Sequence, residues 1–360
     1  MDVFDGHNDL PWRLRVRYPG AADRSVDLAT DLTRTGLHTD LPRLERGGVG
    51  AQFWSVYVPN DRPEPQAAIQ VVEQVELVRR IVARHPDRLA IATTAAEVER
   101  ARATGRIASL LGAEGGHCLD NSLVVLRSLY KLGIRYLTLT HSRNTAWADS
   151  ATDGPSTGGL SDFGREVVRE LNALGMLADL SHVADTTMHA ALDVSTAPAF
   201  FSHSSARALC NHPRNVPDEV LRRVRDTGGV VMVTFVPFFL TDECRHWGDE
   251  LYRVEDAIAL PWDSPDFLRR RQRWIDANPC PPTTARDVAD HIDHVRAVAG
   301  VDAVGLGGDF DGTEVLPTDL PDVSAYPVLF AELRRRGWAD SDLRKLAWDN
   351  AMRVLRATCG

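Results

Sequence analysis

Eight apolar, strand-like segments alternate with helical patterns along this 360-residue chain, and nearly all of them end in a metal-binding or acid–base residue. The first, VFDGHNDLP, delivers His7 and Asp9. Later segments deliver Glu114 (LLGAEGGH), His141 (YLTLTHSRN), His182 (LADLSHV), His203 (FFSHSSAR) and Asp309 (VGLGGDFDG). A parallel barrel gathers the ends of all its strands on one face, so side chains distant in sequence meet there. Imidazoles and carboxylates collected in that way are suited to a metallohydrolase site.

The segments between the apolar runs carry helical spacing. PQAAIQVVEQVELVRRIVARHP, NSLVVLRSLYKLG, LSDFGREVVRELNALG, ADTTMHAALDV and PDEVLRRVRDTGG each precede or follow a strand-like run, with Thr93 or Thr94 as a plausible cap for one further helix. Eight strands alternating with helices imply an all-parallel sheet, most economically closed as a (β/α)8 barrel. An open doubly wound sheet is the alternative. Against it, no GxGxxG or GxxxxGK follows the first strand, and the chemistry lies on six strand ends rather than one switch point. The register breaks between Phe239 and Pro282, a stretch too long for an ordinary connection of about 2 to 6 residues. It reads as a largely helical insertion after the seventh strand, over the barrel mouth. The competing reading packs its Trp247, Trp262 and Trp274 on the outer helices. Residues 1–360 are otherwise one domain.

A formal charge of -9 argues against a nucleic-acid or anionic-membrane surface, because either needs clustered Lys and Arg. A small-molecule partner is expected, and assembly into a homodimer is left open. The five cysteines, Cys118, Cys210, Cys244, Cys280 and Cys359, show no CxxC spacing, so free thiols in a reducing compartment are expected. No stretch approaches the roughly 18 apolar residues of a membrane span. Together with the lack of a leader pattern, this makes the expected location cytoplasmic, although a chain that opens so abruptly at its first strand leaves room for a longer native N-terminus.

Taken singly, each strand-end residue has a bland explanation: a turn for His7-Asn8-Asp9, a surface carboxylate for Glu114, a structural histidine for His182 or His203. Together, His7, Asp9, Glu114, His182 and His203 form a nitrogen and oxygen set suited to zinc, with more ligands than one tetrahedral ion needs. Two ions sharing a bridging carboxylate would use all five and leave room for a bridging water. Many two-metal barrels bridge with a carbamylated lysine, but the only lysines, Lys131 and Lys345, fall in helical patterns. The bridge is therefore assigned to Glu114. His117 and Asp311 are open between a supporting and an incidental role, Asn144 is expected to shape its loop, and His291 and His294 read as outer-surface residues.

DGHNDLPW, the EGG of Glu114, TLTHSRN, DLSH, FSHSSAR, HPRN and GGDFDG, in this order and spacing, resemble the renal (membrane) dipeptidase family of zinc hydrolases, within the amidohydrolase superfamily. The resemblance covers nearly the whole chain and is nearest to bacterial members with a long segment after strand seven. It implies a distorted (β/α)8 TIM barrel with two zinc ions that hydrolyses dipeptides, L-Xaa-L-Xaa or L-Xaa-D-Xaa, through a hydroxide bridging the metals. One zinc would take His7, Asp9 and Glu114, the other Glu114, His182 and His203. His141 would contact the substrate carbonyl, Arg214 of HPRN the substrate carboxylate, and Asp309 would be the acid–base catalyst. Hydrolysis of a lactone, β-lactam or N-acyl amino acid on the same scaffold, and a non-enzymatic metal binder, are the alternatives.

Overall fold

Parallel pairing carried from strand to strand returns to its starting point in this chain. A computed structural model describes residues 1–19, 26–60, 66–260 and 264–360. Among them are nine strands: β1 (Val3–Asn8), β2 (Val49–Tyr57), β3 (Leu89–Ile91), β4 (Ile107–Glu114), β5 (Ile134–Thr138), β6 (Leu177–Asp179), β7 (Phe200–Phe201), β8 (Val230–Val233) and β9 (Val304–Leu306). β1 pairs with β2 and β9, β2 pairs with β4, and β4 through β9 pair in succession. Eight strands thus close a parallel barrel, with helices outside it. β3 is a ninth strand that the sequence reading did not separate from the helix after it. It pairs Leu89 with Ile107 and Ile91 with Ser109, on the edge of β4 that β5 occupies from Leu111 onward. Three residues are too few to show a period.

Two apolar layers hold the barrel. Inside it, Phe4, Phe53, Tyr136 and Phe200 pack ring against ring, with Phe53 4.9 Å from Tyr136 and Phe4 5.7 Å from Phe53. Trp348 closes the lower end at 5.8 Å from Phe4. Gly112 is required here, because a Cβ at that position would lie 1.9 Å from the Tyr136 ring. The second layer lies between the strands and the outer helices and includes Leu111, Val167, Val220, Val231 and Ile292, all fully buried. Fully burying one such side chain contributes roughly 1.5–3 kcal/mol.

The insertion is largely helical, formed by Asp242–Ile258 and Pro265–Ala277, which are N-capped by Thr241 and Ser264. Trp262 lies outside the described residues. Trp247 stacks on Phe238 at 5.6 Å, lies 5.5 Å from Trp274 and donates its indole N–H to the Asn278 carbonyl at 2.6 Å. These two tryptophans therefore pack within the insertion, not on the outer helices. Arg271 pairs with Glu255 at 2.5 Å and with Glu314, which also faces Arg13 at 3.4 Å. That chain of charges ties the insertion to the loop following β9 and to the helix Leu10–Arg17 following β1.

One expectation is overturned. His291, read as an outer-surface residue, is 1% exposed. Its helix, Ala285–Ala299, turns it inward, where Nδ1 accepts from the Ala206 N–H at 3.0 Å and Nε2 donates to the Leu240 carbonyl at 2.9 Å. His294, one turn on, is only half-buried and pairs with Asp218 at 2.7 Å. Burial pushes the His291 pKa down to about 4, and a protonated ring would point a second donor at the Ala206 N–H. The folded-state value lies below the unfolded value of about 6.5, so the unfolded chain takes up the proton first. This contribution to stability is complete above pH 6.5 and is lost as pH falls towards 4. His291→Gln keeps one acceptor and one donor without the titration. Denaturant unfolding at pH 7 and pH 5 should show the parent losing about 2 kcal/mol more than the variant over that interval; equal losses would refute the assignment.

Candidate metal centre

The barrel ladder puts Tyr57 beside Glu114, Glu114 beside Thr138, and Thr138 beside Asp179. Glu114 is thereby fixed in a row at the carboxyl ends of four strands. Its two oxygens face different partners. Oε2 accepts from Ser55 Oγ at 3.0 Å and lies 3.5 Å from His7 Nε2, while Oε1 lies 3.0 Å from His182 Nε2, 3.4 Å from His203 Nε2 and 3.9 Å from His141 Nε2. Asp9 Oδ2 approaches His7 Nε2 at 3.1 Å, and the other Asp9 oxygen is buried without a hydrogen-bond partner. His182 and His203 face each other Nε2 to Nε2 at 2.9 Å.

Among the described residues, three sets have ligand atoms mutually within 4.8 Å: His7, Glu114 and His203; Glu114, His141 and His182; His7, Asp9 and Asp309. All the sequence-assigned ligands therefore converge. The sets do not reproduce the expected division into two triads, since His203 falls with His7 and His141 with His182. The shared members, Glu114 and His7, link the three sets into one cluster able to chelate metal ions. Lys131 ends a helix and Lys345 pairs with Asp302 at 2.8 Å, so neither is a strand-end ligand.

The donor set fits divalent metal. Only imidazole nitrogens and carboxylate oxygens are present, the set that zinc accepts in hydrolases. Burial raises the Glu114 pKa despite the His7 charge, and burial together with Asp9 and Glu114 drives Asp309 well above the carboxylate range. Burial lowers His7, but Glu114 and Asp9 reverse the effect and raise it. Burial keeps His182 and His203 neutral, the state in which imidazole binds metal. Accumulated buried negative charge of this kind is what a cation relieves. His182 and Asp309 also adopt left-handed backbone, with φ of 68° and 59°. Such strain clusters at functional sites.

Two further expected residues lie alongside. His141 stacks on His182 at 4.2 Å and lies tilted against Tyr57 at 4.5 Å, and burial holds its pKa down at about 3, so it offers a neutral ring. Arg214 is 2% exposed, donates to the His203 carbonyl at 3.1 Å and to Ser204 Oγ at 3.3 Å, and leaves its Nε without a partner. Among the described residues no carboxylate lies within 4.0 Å of it. Asp311 accepts from the His38 N–H at 2.8 Å, and its own N–H donates to His38 Nδ1 at 3.0 Å, joining two loops. Asn144 does shape its loop, through Gly154 and Ser150. Sequence reasoning missed Tyr136, whose hydroxyl meets His7 Nδ1 at 2.9 Å, and the Asp179–Ser202 pair behind His203. Both lie inside quoted segments: Tyr136 five residues before His141, Asp179 three before His182 and Ser202 immediately before His203.

Relatives share this architecture along the whole chain. Rat Dipeptidase 3 is 40% identical over 359 residues, covering 98% of this chain, and an uncharacterized dipeptidase of Schizosaccharomyces pombe is 40% identical over 370 residues, covering 99%. The chain spans 64% of the length of the rat protein and 80% of the yeast one. Among solved structures, the dipeptidase AC, a metallo peptidase of family M19, superposes with a TM-score of 0.82 at 27% identity, covering 100% of this chain and 99% of its own. A metallo peptidase from Rhodobacter sphaeroides, liganded with a phosphinate mimic of the dipeptide L-Ala-D-Ala, gives 0.81 at 27% identity, covering 99% of each chain. The membrane dipeptidase model, peptidase family M19, matches residues 1–359, and the chain belongs to that family.

Proposed function

We propose that the chain is a zinc-dependent dipeptidase with a two-metal centre, in which His7, Asp9 and Glu114 hold one ion and Glu114, His182 and His203 the other. The observation that carries the reading is the division of Glu114: one oxygen turned towards His7 and the other towards His182 and His203, as a bridging carboxylate requires. When bound, zinc lowers the pKa of a coordinated water towards about 7 and so provides a nucleophile at neutral pH.

The protein's own groups complete the reaction. Asp309 lies beside Asp9 and His7, where burial and its carboxylate neighbours favour proton uptake; it accepts a proton from the attacking water and passes it to the leaving amine. His141, neutral and on the open side of Glu114, donates from Nε2 to the carbonyl oxygen as charge develops there. Arg214 binds the free carboxylate of a short substrate. A buried guanidinium without a carboxylate neighbour costs stability unless an anion completes it, and its planar fork matches a carboxylate. The L-Ala-D-Ala mimic on the Rhodobacter relative is a ligand of this class and supports including L-Xaa-D-Xaa substrates. The insertion, tied through Arg271 to Glu314, forms the rim of the pocket in this reading.

Zinc-loaded protein offered mixed L-L and L-D dipeptides, lactones, β-lactams and N-acyl amino acids should turn over the dipeptides; hydrolysis confined to the other classes would reject the proposal. Asp309→Asn should retain two zinc ions by metal analysis while kcat falls about 100- to 10,000-fold, and full activity in that variant would remove Asp309 from the mechanism. Arg214→Met should lower kcat/KM for free dipeptides about 100-fold and leave C-terminally amidated dipeptides nearly unaffected. An equal loss on both would show that Arg214 does not read the carboxylate.

A further inference from the structure

Asp179 ends β6, is fully buried and receives four donors. Its Oδ1 accepts the backbone N–H groups of Ser181 at 3.1 Å and Ser202 at 2.8 Å. Its Oδ2 accepts Thr138 Oγ1 at 2.6 Å and Ser202 Oγ at 2.7 Å. The same Ser202 oxygen lies 2.8 Å from His203 Nδ1. A hydroxyl has one proton, and a carboxylate can only accept. With the Ser202 proton directed to Asp179, the remaining lone pair of Ser202 can only accept, so the hydrogen between Ser202 and His203 must sit on Nδ1. The lone pair of His203 is then on Nε2, which faces Glu114 Oε1 and His182 Nε2.

We propose that Asp179 and Ser202 are positioning residues that set the tautomer of His203 before any metal arrives, with Asp179 acting through the serine hydroxyl. The proposal rests on the metal assignment above for its consequence, not for its geometry. A ring locked with Nδ1–H presents its lone pair to the metal without first having to move a proton. His7 is served differently, by the Tyr136 phenol at 2.9 Å. Thr138 supports the Asp179 carboxylate, and among the described residues its hydroxyl makes no hydrogen bond to a ligand ring.

The relay has a polarity, and one substitution reverses it. In Asp179→Asn the amide oxygen must stay on the side that accepts two backbone N–H groups, so the NH2 lands opposite Ser202 Oγ and Thr138 Oγ1. Ser202 then accepts from the amide and turns its own proton towards His203 Nδ1. That drives the ring proton to Nε2, the wrong nitrogen for the metal. Ser202→Ala only removes the partner and lets water or either tautomer take over. The reversal should therefore harm the site more than the deletion.

The test is nitrogen NMR of histidine-labelled, metal-free protein, with zinc stoichiometry and affinity measured separately on the same samples. The parent should show His203 protonated on Nδ1. Asp179→Asn should move the proton to Nε2 and weaken the more loosely held zinc about 10- to 100-fold. Ser202→Ala should weaken it less and lose the single-tautomer signature, and Thr138→Val should leave both readings within about twofold. An Nε2–H ring in the parent, or the parent's tautomer and affinity in Asp179→Asn, would overturn the relay. Should Asp179→Asn not fold, Ser202→Ala decides: an unchanged tautomer and affinity there also overturn it. A parent that binds fewer than two zinc ions would instead sink the two-metal reading, and the tautomer in metal-free protein would still decide the relay.

Discussion

Asp9, Glu114 and Asp309 are buried around His7, and three carboxylates that close cannot all be ionised in a low-dielectric pocket without compensating charge. His7 supplies part of it, which is why its pKa rises although burial alone would lower it. The rest of the upper barrel is arranged around that excess of negative charge. Neutral His182, His203 and His141 rings surround one Glu114 oxygen, and Arg214 stands buried behind them. A cation bound among these groups converts the least favourable feature of the fold into its strongest interaction.

The scaffold beneath is apolar and rigid. Phe4, Phe53, Tyr136 and Phe200 fill the barrel interior, leaving no room even for a Cβ at Gly112. Tyr136 belongs to both layers: its ring packs in this floor and its hydroxyl reaches His7. Burial raises the Tyr136 pKa far above its ordinary value, so the phenol stays neutral next to the acidic cluster. Floor and site are mechanically connected through that one side chain. A change in interior packing is thus transmitted to a ring of the candidate metal cluster.

The barrel and the strand-end members of the candidate site were legible because each of them follows an apolar run, and a parallel barrel brings the ends of such runs together whatever lies between them; Arg214, in HPRN, follows no such run and was read only from motif correspondence. β3 was not legible, since Leu89–Ile91 is too short to show alternation and merges with the helix that follows. His291 was misread because helical spacing shows that His291 and His294 lie near each other but not which way their face points. Packing against the turn after β8 turned one inward. The division of ligands between two ions was read from motif correspondence. The geometry mixes the sets, because Glu114 lies within reach of every ring. Asp179 and Ser202 sat in view within LADLSHV and FFSHSSAR, but a carboxylate on the strand next to its target's gives no sign of its purpose until the ladder pairs Asp179 with Phe200 and so sets it beside Ser202.

The left-handed backbone at His182 and Asp309 follows from the same architecture. Strands β6 and β9 are only three residues long, and His182 and Asp309 each follow the strand end by three residues, within the turn that leaves it. Each such residue costs roughly 1–3 kcal/mol and persists only where its surroundings over-determine it. At His182, the carbonyl accepts from the Ala151 N–H at 2.8 Å and Thr140 Oγ1 at 3.0 Å, so the loop after β5 holds the turn. At Asp309, the backbone N–H donates to the His7 carbonyl at 3.2 Å, and the next turn packs so tightly that a Cβ on Gly312 would meet both Asp309 and Asp9. Each strained residue is therefore held by a segment that carries another site residue, the loop with His141 in the first case and strand β1 with His7 in the second. The site loops depend on one another for their backbone geometry as much as for their charges. A substitution in one should consequently be felt at the side chain presented by its neighbour, before any metal is considered.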